Sequence, residues 1–229
     1  NKRIGGFIGF VGDLKQPTVI SFEDCVNNGN VTGSGDCVGG FIGIITGNAG
    51  MTVTISNSIN GGSITGTGNY VGGLFGNIGS GPIIAIAILN STNNGVVVGR
   101  WNVGGFVGFI ISRFNMTMTI SDIANNGAVS GGGYVGGLVG TIRSEPSMST
   151  IISSCVNNAI VTGDDSSAGG FVGFISTNTN MVAISTSANN TNATGCGNND
   201  RALVESFSSS SSVSLGIINS ANKGSVSAK

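Results

Sequence analysis

The sequence predicts an all-β fold, a parallel β-helix (β-solenoid) of about seven coils with a repeat of about 33 residues and three short strands per coil. Three observations carry this. The hexapeptide V-G-G-F-I-G at residues 38–43 recurs at 4–9, 71–76, 103–108, 135–140 and 168–173, with starts 34, 33, 32, 32 and 33 residues apart. A second motif, V-N-N-G-N-V-T-G at 26–33, recurs in phase at 59–66 and again from Thr92, Ala124, Val156, Ala188 and Ala221. Between the motifs, apolar residues alternate with small or polar ones, the period of a strand. Such a period holds one supersecondary unit and is too short for a domain, so neighbouring units must bury their apolar faces on one another.

The second motif places an asparagine in every coil: Asn27, Asn60, Asn93, Asn125, Asn157, Asn189 and Asn222. Stacked amides donate and accept along a solenoid axis, so this column is read as a structural ladder. Counting back from it, position −5 holds Phe22, Ile55, Ile88, Ile120, Ile152, Ile184 and Ile217, and position −7 holds Ile20, Val53, Ile86, Met118, Thr150, Val182 and Leu215. These form the inward face of the first strand. Position −6, which includes Ser21, Thr54, Ala87 and Thr119, is its outer face. The second strand surrounds Val31, Ile64, Val97, Val129 and Val161. The third is the hexapeptide, whose Phe41, Leu74, Phe106, Leu138 and Phe171 make another apolar column, with bends expected at the glycines. Abundant Gly, Ser, Thr and Asn with β-branched residues opposes helix throughout.

One domain spans residues 1–229, with regular coils over 4–195 and a degenerate one over 196–229, where D-R-A-L-V-E at 200–205 replaces the hexapeptide and reads as a terminal cap. The chain opens on Asn1 without a leader, as expected for a processed protein or an excerpt of a longer one. A content of 41 glycines, 8% charged residues, no histidine and a net charge of −1 argues against nucleic-acid binding. Every apolar run is interrupted well short of the roughly 20 residues of a spanning helix.

No catalytic, cofactor or metal constellation is expected. Asp24 and Asp122 share position −3 but sit three coils apart, about 14 Å at ~4.8 Å per coil, too far for paired acid and base work. The adjacent Asp164 and Asp165 read as a solvated turn in preference to a calcium site. Without histidine, a Ser or Cys nucleophile lacks its usual base. A disulfide between Cys25 and Cys37 fits within one coil, and Cys155 with Cys196 fits between neighbours; the alternative is buried thiols standing where other coils have Ser58 or Ile123. Of five N-x-S/T sequons, Asn189 belongs to the ladder and should be inaccessible, which leaves Asn30, Asn90, Asn115 and Asn192 as candidate N-glycosylation sites. The serine run at 208–212 reads as a flexible or O-glycosylated insertion.

The pattern V-G-G-F/L-x-G, then an I-S strand, then N-x-G-x-V-T/S-G resembles the GLUG-motif repeat of large extracellular and cell-surface proteins, over residues 4–195 with a worn copy after it. Arg201 and Glu205 depart from the hexapeptide, and Ala159 and Thr191 stand where the second motif has glycine. The resemblance implies a structural, adhesin-like surface module, a rigid rod or filament segment whose partners are copies of itself or further repeats, end to end. Two rivals are weighed. A carbohydrate-binding or carbohydrate-active β-helix would draw on Trp101, Tyr70 and Tyr134 as aromatic platforms. Ice binding would use the rungs of Thr52 with Thr54 and Thr117 with Thr119, but Ala87, Ile151 and Ala183 break the array.

Overall fold

The computed structural model describes residues 2–12, 16–47, 50–79, 84–144, 148–164, 168–177, 181–195, 203–209 and 214–228. Every strand pairs in parallel with its equivalents in the coils before and after, and among the described residues there is no helix. Four sheets contain seven strands and one contains six, so the chain makes about six full turns from first rung to last. The register follows the motifs residue by residue. Ile4 pairs with Val38, Val38 with Val71, Val71 with Val103, Val103 with Val135 and Val135 with Ala168.

The three expected strands are all present, but the first six coils each carry five segments and the last carries four among the described residues. In the second coil the long strand Met51–Ser56 is followed by Ile59–Asn60, Ile64–Gly66, Tyr70–Gly72 and Phe75–Gly79. The ladder asparagine and its predecessor thus form a strand of their own, and the hexapeptide divides in two after its first glycine. The bends are not made by glycines in a left-handed conformation. Among the described glycines only Gly50 lies there, with φ 40°. The left-handed position is instead −3, occupied by Asp24, Asn57, Asn90, Asp122, Ser154, Thr186 and Asn219 with φ between 45° and 56°. Asn and Asp tolerate this conformation best among residues with a Cβ, which accounts for five of the seven.

The hexapeptide glycines serve close approach. A Cβ on Gly73 would lie 2.0 Å from the carbonyl oxygen of Gly105 in the next coil and 2.9 Å from the Asn93 amide. The missing side chain is the space the ladder occupies, which is why the two motifs keep phase. This contact divides the interior into two apolar stacks. The larger contains the Phe41 and Ile55 columns, and the smaller contains Val31, Val38 and their equivalents. Along the chain, each crossing from one stack to the other passes through the asparagine or through the glycine pair.

Regularity persists through the fifth and sixth coils despite Ala159 and Thr191, since Asn157 pairs with Asn189 and Val161 with Ala193. In the last coil Ile217, in the column of the buried Ile184, is 46% exposed, and Ile218, in the outer column of Ser153 and Ser185, is 57% exposed. At the other end Phe7 is 46% exposed, tilted against Phe22 and Phe41 at 5.7 and 4.8 Å. Arg201, and part of the serine run, lie outside the described residues.

Candidate functional site

The asparagine column forms an unbroken chain of amides. Nδ2 of Asn27, Asn60, Asn93, Asn125, Asn157 and Asn189 each donates to Oδ1 of the next, at 2.7 to 2.9 Å. Each amide from Asn60 onward also donates to a carbonyl two residues on, as Asn125 does to Gly127 at 3.1 Å. The second bond fixes which atom is nitrogen and hence the polarity of the whole row. A second ladder, outside and unforeseen, links Asn94, Asn126, Asn158 and Asn190 with the opposite polarity.

Position −2 carries a third device. The backbone N–H of Cys25 donates to Ser58 Oγ, that of Ser58 to Ser91 Oγ, and that of Cys155 to Ser187 Oγ, at 3.1 to 3.2 Å. Cys155 fits this column as a serine would, its thiol donating to the Ser153 carbonyl at 3.1 Å while Ser58 donates to Ser56 at 2.7 Å. Burial pushes the Cys155 thiol up to about 12, against the opposing effect of its backbone hydrogen bonds. Cys25 and Cys37 are free thiols in this structure, the alternative to a disulfide between them. Cys25 packs against the larger core, whereas Cys37 lies beyond the ladder beside Asn77. Cys196 lies outside the described residues.

Asn30, Asn90, Asn115 and Asn192 are all exposed, and Asn189 is buried in the ladder. Asn30 and Asn192 use Oδ1 to accept the backbone N–H of Ser63 and Ser225, an arrangement that commits the oxygen and not Nδ2, the atom that carries a glycan. Asp24 and Asp122 are the left-handed turn residues described above, so their separation has a structural cause. Among the described residues no three of His, Cys, Asp and Glu come together as a metal-binding group, and Asp165 is outside them.

A groove runs along the outer surface where the hexapeptide bends. One wall is the column Arg3, Cys37, Tyr70, Asn102 and Tyr134; the other is Phe10, Ile44, Asn77, Phe109, Thr141 and Phe174. From Tyr70 on, each residue of the first wall meets the second-wall residue of the following coil. The Tyr70 ring stacks on Phe109 at 4.8 Å and Tyr134 on Phe174 at 4.6 Å, while Thr141 Oγ1 donates to Asn102 Oδ1 at 2.6 Å. Cys37 meets the Asn77 side chain. Tyr70 and Tyr134 therefore each have one face covered, and Trp101, 42% exposed, has its ring against Gly133. At the first rung Arg3 lies over the Phe10 ring at 4.0 Å.

At the N-terminal end the groove deepens into a depression of about 280 Å³ lined by Lys2, Arg3, Asp36, Asn69, Tyr70 and Asn77, with Cys37 and Ile44 behind them. Asn69 Nδ2 donates to Asp36 Oδ1 at 3.3 Å. Burial pushes the Cys37 thiol up to about 11, opposed by the Asn77 hydrogen bond. Asn77 Oδ1 is buried without a hydrogen-bond partner. Sequence reasoning missed this place. The available signal was the pairing of types between the two columns: Cys37 with Asn77, Tyr70 with Phe109, Asn102 with Thr141, Tyr134 with Phe174. No protein-family model matches the chain, and neither a curated protein nor a solved structure shows significant similarity to it.

Proposed function

We propose that this chain is a structural and adhesive module outside the cell or at its surface, a rigid segment of a rod or filament. The observation that supports this most is the open stack. The amide ladder runs from Asn27 to Asn222 without a break, and Phe7 and Ile217, in the first and last described rungs, are half exposed. Open parallel edges template further strands, so either a copy or further repeats of a longer chain would continue the rod. The GLUG-type motifs support the extracellular placement, and the four exposed sequons offer attachment points for a sugar coat.

Electron microscopy and light scattering of the 229-residue chain test the reading. The expected result is rods whose lengths are multiples of about 35 Å, the length of seven rungs at ~4.8 Å. Single unassociated particles at high concentration, with a protected N-terminal strand by hydrogen exchange, overturn the assembly. Glycan release from the natural source should shift the masses of peptides holding Asn30, Asn90, Asn115 and Asn192 and leave the Asn189 site unmodified.

A further inference from the structure

We infer that the depression at the N-terminal end of the groove binds one acidic sugar residue, a hydroxylated ring bearing a single carboxylate. The inference stands apart from the rod, since a single chain carries the whole site.

Asn77 is the starting point. It is 8% exposed, it lies beside Cys37 in the lining, and its Oδ1 has no donor. Leaving a buried amide oxygen unpaired costs on the order of 1–3 kcal/mol. The fold does not require that cost, because the same column is filled by Ile44, Phe109 and Phe174 in other coils. Asn77 lines the depression, and a turn of its amide about χ2 brings this oxygen to a ligand hydroxyl, the donor it lacks.

The surrounding groups narrow the ligand. Asp36 is a second acceptor for hydroxyls, held by the Asn69 amide at 3.3 Å. Two cations, Lys2 and Arg3, face one carboxylate, so the lining keeps one positive charge in excess. Arg3 is already oriented by the Phe10 ring at 4.0 Å, which leaves its N–H edge available to a planar carboxylate. The acceptors call for hydroxyls and the surplus cation calls for an anion. The volume of about 280 Å³ sits just below the roughly 300–1,000 Å³ of drug-sized sites, the scale of one ring.

The test titrates the full chain with D-glucuronate, D-glucose and acetate, followed by amide chemical shifts in NMR and by calorimetry. Glucuronate should bind most tightly, with glucose and acetate each weaker by about tenfold or more, and added salt should narrow that gap. Asn77→Leu should abolish the glucuronate response while the urea midpoint holds or rises, an outcome a purely structural asparagine would not give. Arg3→Gln should bring glucuronate down to the level of glucose and leave glucose unchanged. If Asn77→Leu does not fold, Asp36→Asn serves as the second acceptor variant and should weaken glucuronate and glucose alike. The inference is overturned by no response to any of the three probes, by equal affinity for glucose and glucuronate, or by binding that survives both acceptor substitutions.

Discussion

Asn125 shows what a single side chain does in this stack. Its amide accepts from Asn93, donates to Asn157 and donates to the Gly127 carbonyl, all in a site closed to solvent. Replacing it with leucine breaks the row in the middle, leaving an Asn93 donor and the Asn157 oxygen short of a partner, and it crowds Gly105, whose Cβ direction points at the Asn125 amide at 2.7 Å. Asn125→Leu should lower stability by about 3 kcal/mol in urea unfolding, whereas Asn126→Ala on the exposed ladder should stay within about 0.5 kcal/mol. Equal effects would mean that the buried row carries no special weight. The cysteine in the hydroxyl column adds a pH dependence. Because Cys155 titrates near 12 in the folded chain against an ordinary 9.0, the folded state keeps a proton that the unfolded chain releases. The associated stability is complete below pH 9 and is lost as pH rises through that window. Between about pH 7.5 and about pH 10.5, under reductant, the native chain should lose more stability than Cys155→Ser, which keeps the column's hydrogen bond. Parallel losses would show that the thiol does not contribute.

At the scale of the strand, Met116–Ser121 illustrates how one element sorts its residues. Met116, Met118 and Ile120 are buried and Thr117 is exposed, with Thr119 half buried, because alternate side chains of a strand leave on opposite faces. Ile120→Asp should prevent folding, since its position lies inside a continuous apolar column and a carboxylate there has no partner. Thr119→Lys should fold cooperatively, and a soluble, cooperative Ile120→Asp protein would mean that the faces had been assigned the wrong way round. The same contrast explains what was legible in the sequence. Register needed no structure, because each strand pairs with a near copy of itself and the offset is the repeat length, as Val71 pairing with Val103 shows. The left-handed turn at position −3 was legible only in part, since Ser154 and Thr186 hide it among the Asn and Asp of other coils. The division of the interior was not legible, because it arises where the Asn93 amide meets Gly73 across the coil, a contact between residues 20 apart that no periodicity encodes. The groove was missed for a similar reason. Cys37 and Asn77 are brought together by the bend between two strands, and the pairing of types shows only once the two columns are set side by side.

For the whole molecule the open question of physical consequence is what covers the end rungs. An internal rung has a neighbour on each side, and Ile217, in the last described rung, is half exposed where its equivalent Ile184 is fully buried. Phe7 is in the same position at the other end, in the column of the buried Phe41. Head-to-tail stacking would bury both sets at once and pair the free backbone donors and acceptors of the edge strands. A lateral association would use another surface, such as the outer face of the long strands, where Thr52 and Thr117 are exposed. The two modes respond to different substitutions. Ile217→Lys, at a position already half in water, should leave the monomer folded and shorten the assemblies seen by light scattering, because a charge would enter the new interface. Thr117→Lys should leave the assemblies unchanged. The opposite pattern, with Thr117→Lys dispersing the particles and Ile217→Lys without effect, would replace the end-to-end rod with a sheet-to-sheet contact.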